Sequence, residues 1–223
     1  MRRNGLVVAA GVALIVLTIA SYKVYDAQAT RINVIALVSD TMERLKAALA
    51  AQAAGTPMVD VQAHATAAEA HVAALRNMNT SSVTRLADAA DDALVASREI
   101  MRRQANIDRS RNGLVSSLDL LARHLKSNRS SNDWTREAVR MKGAVDKDLR
   151  DYRIAVESYA TLLESFPASQ ARLAPYVAPT LLIDPKLMKD ARQQALDAFE
   201  GADQNIKRVA NIGGSRGSGA RAP

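Results

Sequence analysis

From Asn4 to Tyr22 the chain carries no charged side chain, and Leu6, Val7, Val8, Val12, Leu14, Ile15, Val16, Leu17 and Ile19 make the run strongly apolar. As a helix rising about 1.5 Å per residue it measures roughly 28 Å, close to the ~30 Å hydrocarbon thickness of a bilayer. Tyr22, Lys23 and Tyr25 suit the membrane interface, and Arg2 and Arg3 favour a cytoplasmic N-terminus. The pattern predicts a retained single-pass anchor, N-in, contacting the lipid bilayer through residues 4–22. The alternative is a secreted protein released by signal cleavage at Ala27-Gln28-Ala29, although Lys23 and Asp26 separate that site from the apolar run.

Beyond the anchor, apolar residues recur at helical spacing. Ile35, Val38, Met42, Leu45 and Leu49 form one narrow stripe that stops at Gly55-Thr56-Pro57, where Pro57 suits a new helix start. Met58, Val61, Ala65, Ala68, Val72 and Leu75 continue the pattern. Asn79-Thr80-Ser81-Ser82 either restarts the helix or marks a kink. Val83, Leu86, Ala90, Ala93, Ile100 and Ile107 follow, with Leu114, Leu118, Leu121 and Leu125 resuming after Asn112-Gly113. A polar loop from Asn128 to Asp133 then ends in an N-cap. The longest stripe runs from Trp134 through Met141, Val145, Tyr152, Val156, Tyr159 and Leu163 to Phe166, and Pro167 is predicted to end it. Asp184-Pro185 opens a last helix carrying Met188, Ala191, Ala195, Phe199, Ala202 and Ile206.

These elements predict an all-α protein: an N-terminal single transmembrane helix followed by an elongated antiparallel helical bundle with coiled-coil-like packing. The expected divisions are a cytoplasmic stub and anchor over 1–25 and an extracytoplasmic bundle over 26–166. A proline-rich connection over 167–184, a C-terminal helix over 185–211 and a disordered Gly/Arg tail over 212–223 complete the chain. Composition supports helices over sheets, since alanine supplies 42 of 223 residues and aromatics only 4%. Cysteine is absent, which removes disulfides, thiolate metal sites and cysteine nucleophiles.

The net charge of +7 resides at the ends, because residues 26–206 hold 23 basic and 23 acidic side chains. That distribution fits membrane flanks and a tail, and it argues against a nucleic-acid partner. Residues 98–142 are locally basic, with 11 Lys+Arg against 5 Asp+Glu, between two acidic stretches. Pairing of these stretches across helix faces is the expectation.

No catalytic constellation is evident. His64 and His71 lie two helical turns apart and cannot share one ion on a straight helix, and His124 stands alone. Asp146, Asp148 and Glu157 imitate a calcium-loop register, but Asp151 replaces the required glycine inside an unbroken apolar stripe. Asp88, Asp91 and Asp92 read as a solvated group. No phosphate-binding, dinucleotide or nucleophile-elbow pattern occurs, so neither cofactor nor metal is expected and the protein is read as non-catalytic.

Alanine and arginine richness suggests a bacterial envelope protein, anchored in the inner membrane with its bulk in the periplasm. Two functions follow. One is a membrane-anchored interaction or scaffold protein that binds an envelope partner or a second copy. The other is a ligand-sensing periplasmic bundle working with a separate signalling partner. The proline-rich connection is long for a bundle loop and too apolar for a solvated linker: it either folds back to cap the open end of the bundle or serves as a docking segment through Tyr176, Val177, Leu181 and Leu182.

Overall fold

The computed structural model describes residues 2–57, 60–127 and 131–215, with side chains over 24–57, 60–127 and 131–208. Five helices pack against one another: α1 (Arg2–Ala53), α2 (Val61–Asn77), α3 (Thr84–Lys126), α4 (Asn132–Leu173) and α5 (Pro185–Ser215). A short 3-10 turn, Pro179–Leu181, precedes α5. The side chains of the expected anchor, residues 4–22, lie outside the described residues, as does most of the expected tail. Among the described residues no strand occurs, and no helix is long and apolar enough to cross a membrane.

Cross-helix contacts fix the directions. Thr41 meets His71 and Arg44 meets His64, so α2 runs antiparallel to α1. Arg76 pairs with Asp91, and Ser117 bonds Asp148, making α3 antiparallel to both α2 and α4. Gln104 donates to the Ala48 carbonyl at 2.9 Å, which sets α3 parallel to α1. Tyr152 meets Phe199 edge-on at 5.5 Å, setting α5 antiparallel to α4. Helices α1, α3, α4 and α5 thus form a four-cornered bundle, and α2 lies in the outer groove between α1 and α3.

Three neighbours grip α1, which widens its buried face beyond the narrow stripe read from sequence. Val34, Val38, Thr41, Met42, Leu45, Ala48 and Leu49 are all fully buried. The histidines serve this seam. His71 Nδ1 lies 2.8 Å from Thr41 Oγ1, His64 Nδ1 lies 3.2 Å from Arg44, and Arg44 holds Asp40 at 2.7 Å. The guanidinium hydrogen bond from Arg44 lowers the Asp40 pKa, and the nearby histidines act in the same direction.

Several boundaries differ from the sequence expectation. Pro167 does not end α4, which continues to Leu173. The proline ring is exposed, and the missing backbone donor is outweighed by Phe166, Gln170 and Leu173, which remain on the core. The connection therefore occupies only residues 174–184. Pro57 does not start α2, which begins at Val61. The break at 79–82 is a true reversal between α2 and α3. Exposed Asn112-Gly113 does not interrupt α3, because buried Ile107 and Leu114 hold the helix on either side. The N-cap of α4 is Ser131, whose hydroxyl accepts from the Trp134 amide at 3.1 Å. Asp184 caps α5 as expected, accepting from the Lys186 amide at 2.8 Å.

The expected cross-helix charge pairing is only partly realised. From the basic stretch 98–142, Arg98 reaches Glu69 at 4.0 Å, whereas Arg103, Arg123, Arg136 and Arg140 pair within their own helices. Asp91 and Asp92 are not simply solvated, since they pair with Arg76 and Arg172. Asp148 of uninterrupted α4 accepts from Ser117 of α3, and Lys147 pairs with Asp151 within α4.

Val156 is 1% exposed while Glu157 beside it is exposed. Val156→Asp should destabilise by about 3 kcal/mol or more, through an unpaired charge in the core. Glu157→Ala should change stability by no more than about 0.5 kcal/mol. Chemical denaturation of both variants checks the pair, and equal effects would contradict the assigned face.

Candidate functional site

Helix α1 stops at Ala53 while α3, α4 and α5 run on, and the space it vacates is a cavity of about 340 Å³. Two bonds shape the stop: the Gly55 amide donates to the Gln52 carbonyl, and the Thr56 amide donates to the Ala51 carbonyl, each at 3.0 Å. This is a glycine C-terminal motif with Gly55 at φ 67°, a conformation that suits glycine and strains other residues. A Cβ at Gly55 would also come within 2.7 Å of Gln194 Nε2. The glycine thus lets the α1–α2 turn close onto α5.

Four parts of the fold supply the wall. Gln52, Thr56 and Pro57 come from the end of α1 and its turn; Ile107, Asp108 and Arg111 come from α3. Tyr152 projects from α4, and Gln194, Ala198, Gly201, Ala202 and Asn205 line the α5 side. Asp108 is half-buried and Arg111 exposed, which places the acid inward of the guanidinium. Burial raises the Asp108 pKa, and the nearby Arg111 charge partly offsets it. Burial also raises the Tyr152 phenol, with Arg111 lowering it and Asp108 raising it. One level further in, Tyr159 is fully buried, and among the described residues neither its hydroxyl nor Gln104 Oε1 has a hydrogen-bond partner. Burial raises the Tyr159 pKa strongly, and the Asp108 charge adds to it.

The residues expected to dock a partner are brought together at the opposite end of the bundle. Tyr176, Val177, Leu181 and Leu182 are all half-buried, and Ile183 between the connection and α5 is 2% exposed. Gln170 brackets the segment from α4, accepting from the Ile183 amide and donating to its carbonyl. Lys46 of α1 donates to the Thr180 carbonyl. The segment is thereby folded back onto α1 and α4. It leaves a shallow, largely apolar depression of about 440 Å³, walled by Pro167, Ala171, Ala174, Pro179, Leu182 and Pro185. Of the four expected residues, only Leu182 lines it.

A third feature lies on the α3–α4 hairpin beyond the end of α1. Leu118, Leu121, Leu125, Trp134, Ala138, Val139 and Val145 form an apolar groove of about 390 Å³, bordered by Lys142 and by Ile206 of α5. The hairpin tip is clasped by His124 and Trp134, whose rings stack at 5.0 Å. The indole Nε1 also donates to the His124 carbonyl at 3.2 Å. Among the described residues no group of three His, Cys, Asp or Glu side chains is placed to hold a metal ion.

Sequence reasoning singled out neither the cavity nor its acid–base pair. Asp108 and Arg111 belong to no motif, and the other wall residues are far apart in sequence. The available signal was Gly201, an exposed glycine inside α5. Compared with models of known protein families, with curated proteins and with solved structures, the chain shows no match.

Two measurements test these environments. Tyr176→Ala combined with Leu182→Ala should lower Tm by roughly 4 °C or more, because Tyr176 packs on the core and Leu182 in the same segment is half-buried; unchanged melting would mean the segment adds no packing. The raised folded pKa of Asp108 means its contribution is fully present below the ordinary value of 3.8 and is lost as pH rises through the folded pKa. Asp108→Asn should therefore melt above the unmodified protein at neutral pH, and the gap should close in acid. A gap of constant size across a pH series of melts would contradict this.

Proposed function

We propose that the protein is a membrane-anchored, extracytoplasmic and non-catalytic helical scaffold that binds an envelope protein or a second copy of itself. The observation that carries this reading is the α3–α4 hairpin, which outruns α1 by roughly 25 Å at about 1.5 Å per residue. Val115, Leu120 and Val139 on this extension are 58%, 55% and 67% exposed. Large apolar side chains displayed this way, beside an apolar groove, are the raw material of a protein–protein contact.

The anchored half of the proposal is supported by the uncharged run from Asn4 to Tyr22 and by α1, which spans Arg2–Ala53 as a single helix. Exposed Val24, Tyr25 and Ile32 follow that run on the same helix. With the N-terminus in the cytoplasm, the bundle stands in the periplasm.

Intact mass of protein extracted from inner membranes should include residues 4–22. A soluble species starting near Ala20 or Thr30 would remove the anchor from the proposal. A photo-crosslinking residue at position 120 or 139 should capture a discrete partner or a second copy in membranes. The same probe at exposed position 161 should not. Leu120→Asp with Val139→Asp should abolish capture while leaving Tm within a few degrees. Absence of capture at both distal positions would overturn the scaffold reading.

A further inference from the structure

The cavity at the end of α1 has a lining unlike the two apolar depressions. It holds one carboxylate, one guanidinium, a phenol and three side-chain amides, from Asp108, Arg111, Tyr152, Gln52, Gln194 and Asn205. Its volume of about 340 Å³ falls at the small end of the ~300–1,000 Å³ range of small-molecule sites. Asp108 and Arg111 are three residues apart on α3 and influence each other electrostatically, yet they form no ion pair with each other or with another described residue. On α4 a comparable pair three residues apart closes up, Arg140 on Glu137 at 2.5 Å.

The α5 wall is kept low by Gly201, where an added Cβ would meet nothing within 4 Å. A glycine inside a helix is destabilising by roughly 0.5–1 kcal/mol relative to alanine, and this one is exposed and lines the cavity. Side-chain bulk added at this lining position meets no steric clash.

We propose that this cavity binds a small zwitterion of amino-acid size, with its ammonium group on the half-buried Asp108 carboxylate and its carboxylate on the Arg111 guanidinium. Tyr152, Gln52, Gln194 and Asn205 supply neutral hydrogen-bonding groups for the remainder of the ligand. A simple anion would face Asp108 without compensation, and a simple cation would face Arg111. A zwitterion satisfies both charges, and charge-assisted hydrogen bonds are the strong ones. The assignment goes beyond the scaffold reading and does not depend on it.

The test uses the full-length protein in detergent, titrated by calorimetry and thermal melting with individual L-amino acids, with acetate, ethylammonium and glycerol as comparators. At least one amino acid should bind and raise Tm by roughly 5 °C at about 100 times its Kd. Asp108→Asn and Arg111→Gln should each weaken binding at least tenfold while retaining helical circular dichroism. Gly201→Leu, a substitution toward a better helix former, should abolish binding without lowering Tm in the absence of ligand. Photo-crosslinking from position 139 in the Gly201→Leu protein keeps this question separate from scaffolding. The proposal is overturned by no binding of any amino acid, by equal binding of acetate, ethylammonium or glycerol, or by full affinity in the Gly201→Leu protein.

Discussion

Burial of α1 on three sides is the constraint from which the remaining architecture follows. Val34, Val38, Met42, Leu45 and Leu49 have no exposed surface because α2, α3 and α5 all close on the same helix. Fully burying a side chain of this size contributes about 1.5–3 kcal/mol relative to leaving it exposed. Polar groups then fix the register that the apolar contacts permit. Thr41 meets His71, and the Gln104 amide reaches the Ala48 carbonyl across a buried interface, where an unmade hydrogen bond is expensive. Alanines at 48, 65, 68, 90 and 93 are all essentially buried and allow the backbones to approach closely. By contrast, most surface ion pairs here join residues three or four apart on one helix, an arrangement that adds only a few tenths of a kcal/mol each.

The termination of α1 matters as much as its burial. Past Ala53 the bundle loses one corner, and a polar space opens at that level before α3, α4 and α5 close again on Leu114, Leu121 and Val145. The change is visible in the residues of α3. Ser97, Ile100, Met101 and Gln104 are buried where α1 is present, whereas Asp108 and Arg111 become tolerable where it is not. A charged pair one turn earlier would sit in the core and demand compensation.

The helices were legible in the sequence because each has to hide one stripe, and a repeated spacing of three and four survives reading without any coordinates. The stripe from Met141 to Phe166 and the cap at Asp184 are examples. What spacing did not convey was how local breaker signals fare against tertiary burial. Pro167 carries the strongest breaker signal in α4, yet Gln170 and Leu173 hold the helix to the core beyond it. The expected docking segment is a related case. Its apolar content pointed either to a cap or to a docking surface, and the fold shows Tyr176 and Val177 packed on the core with Leu181 and Leu182 half-buried. The cavity was less legible still, since its walls come from four elements and its charges follow no periodic rule. Only Gly201, and the i, i+3 placement of Asp108 and Arg111, left any trace in the linear chain.

Helix α1 runs from Arg2 to Ala53 as one element, with no break between the uncharged segment and the packed region. A continuous helix has no swivel. On the anchored reading, the bundle is therefore a rigid mast rather than a tethered ball, and its height is set by residue count. From Tyr22 to Ala53, and onward along α3 to Lys126, the axial rise totals about 70 Å at ~1.5 Å per residue. A tilt or rotation of the membrane segment would be carried to the hairpin tip undamped, and the tip would sample a narrow shell at that standoff. Anything it touches must stand at a matching distance from the bilayer.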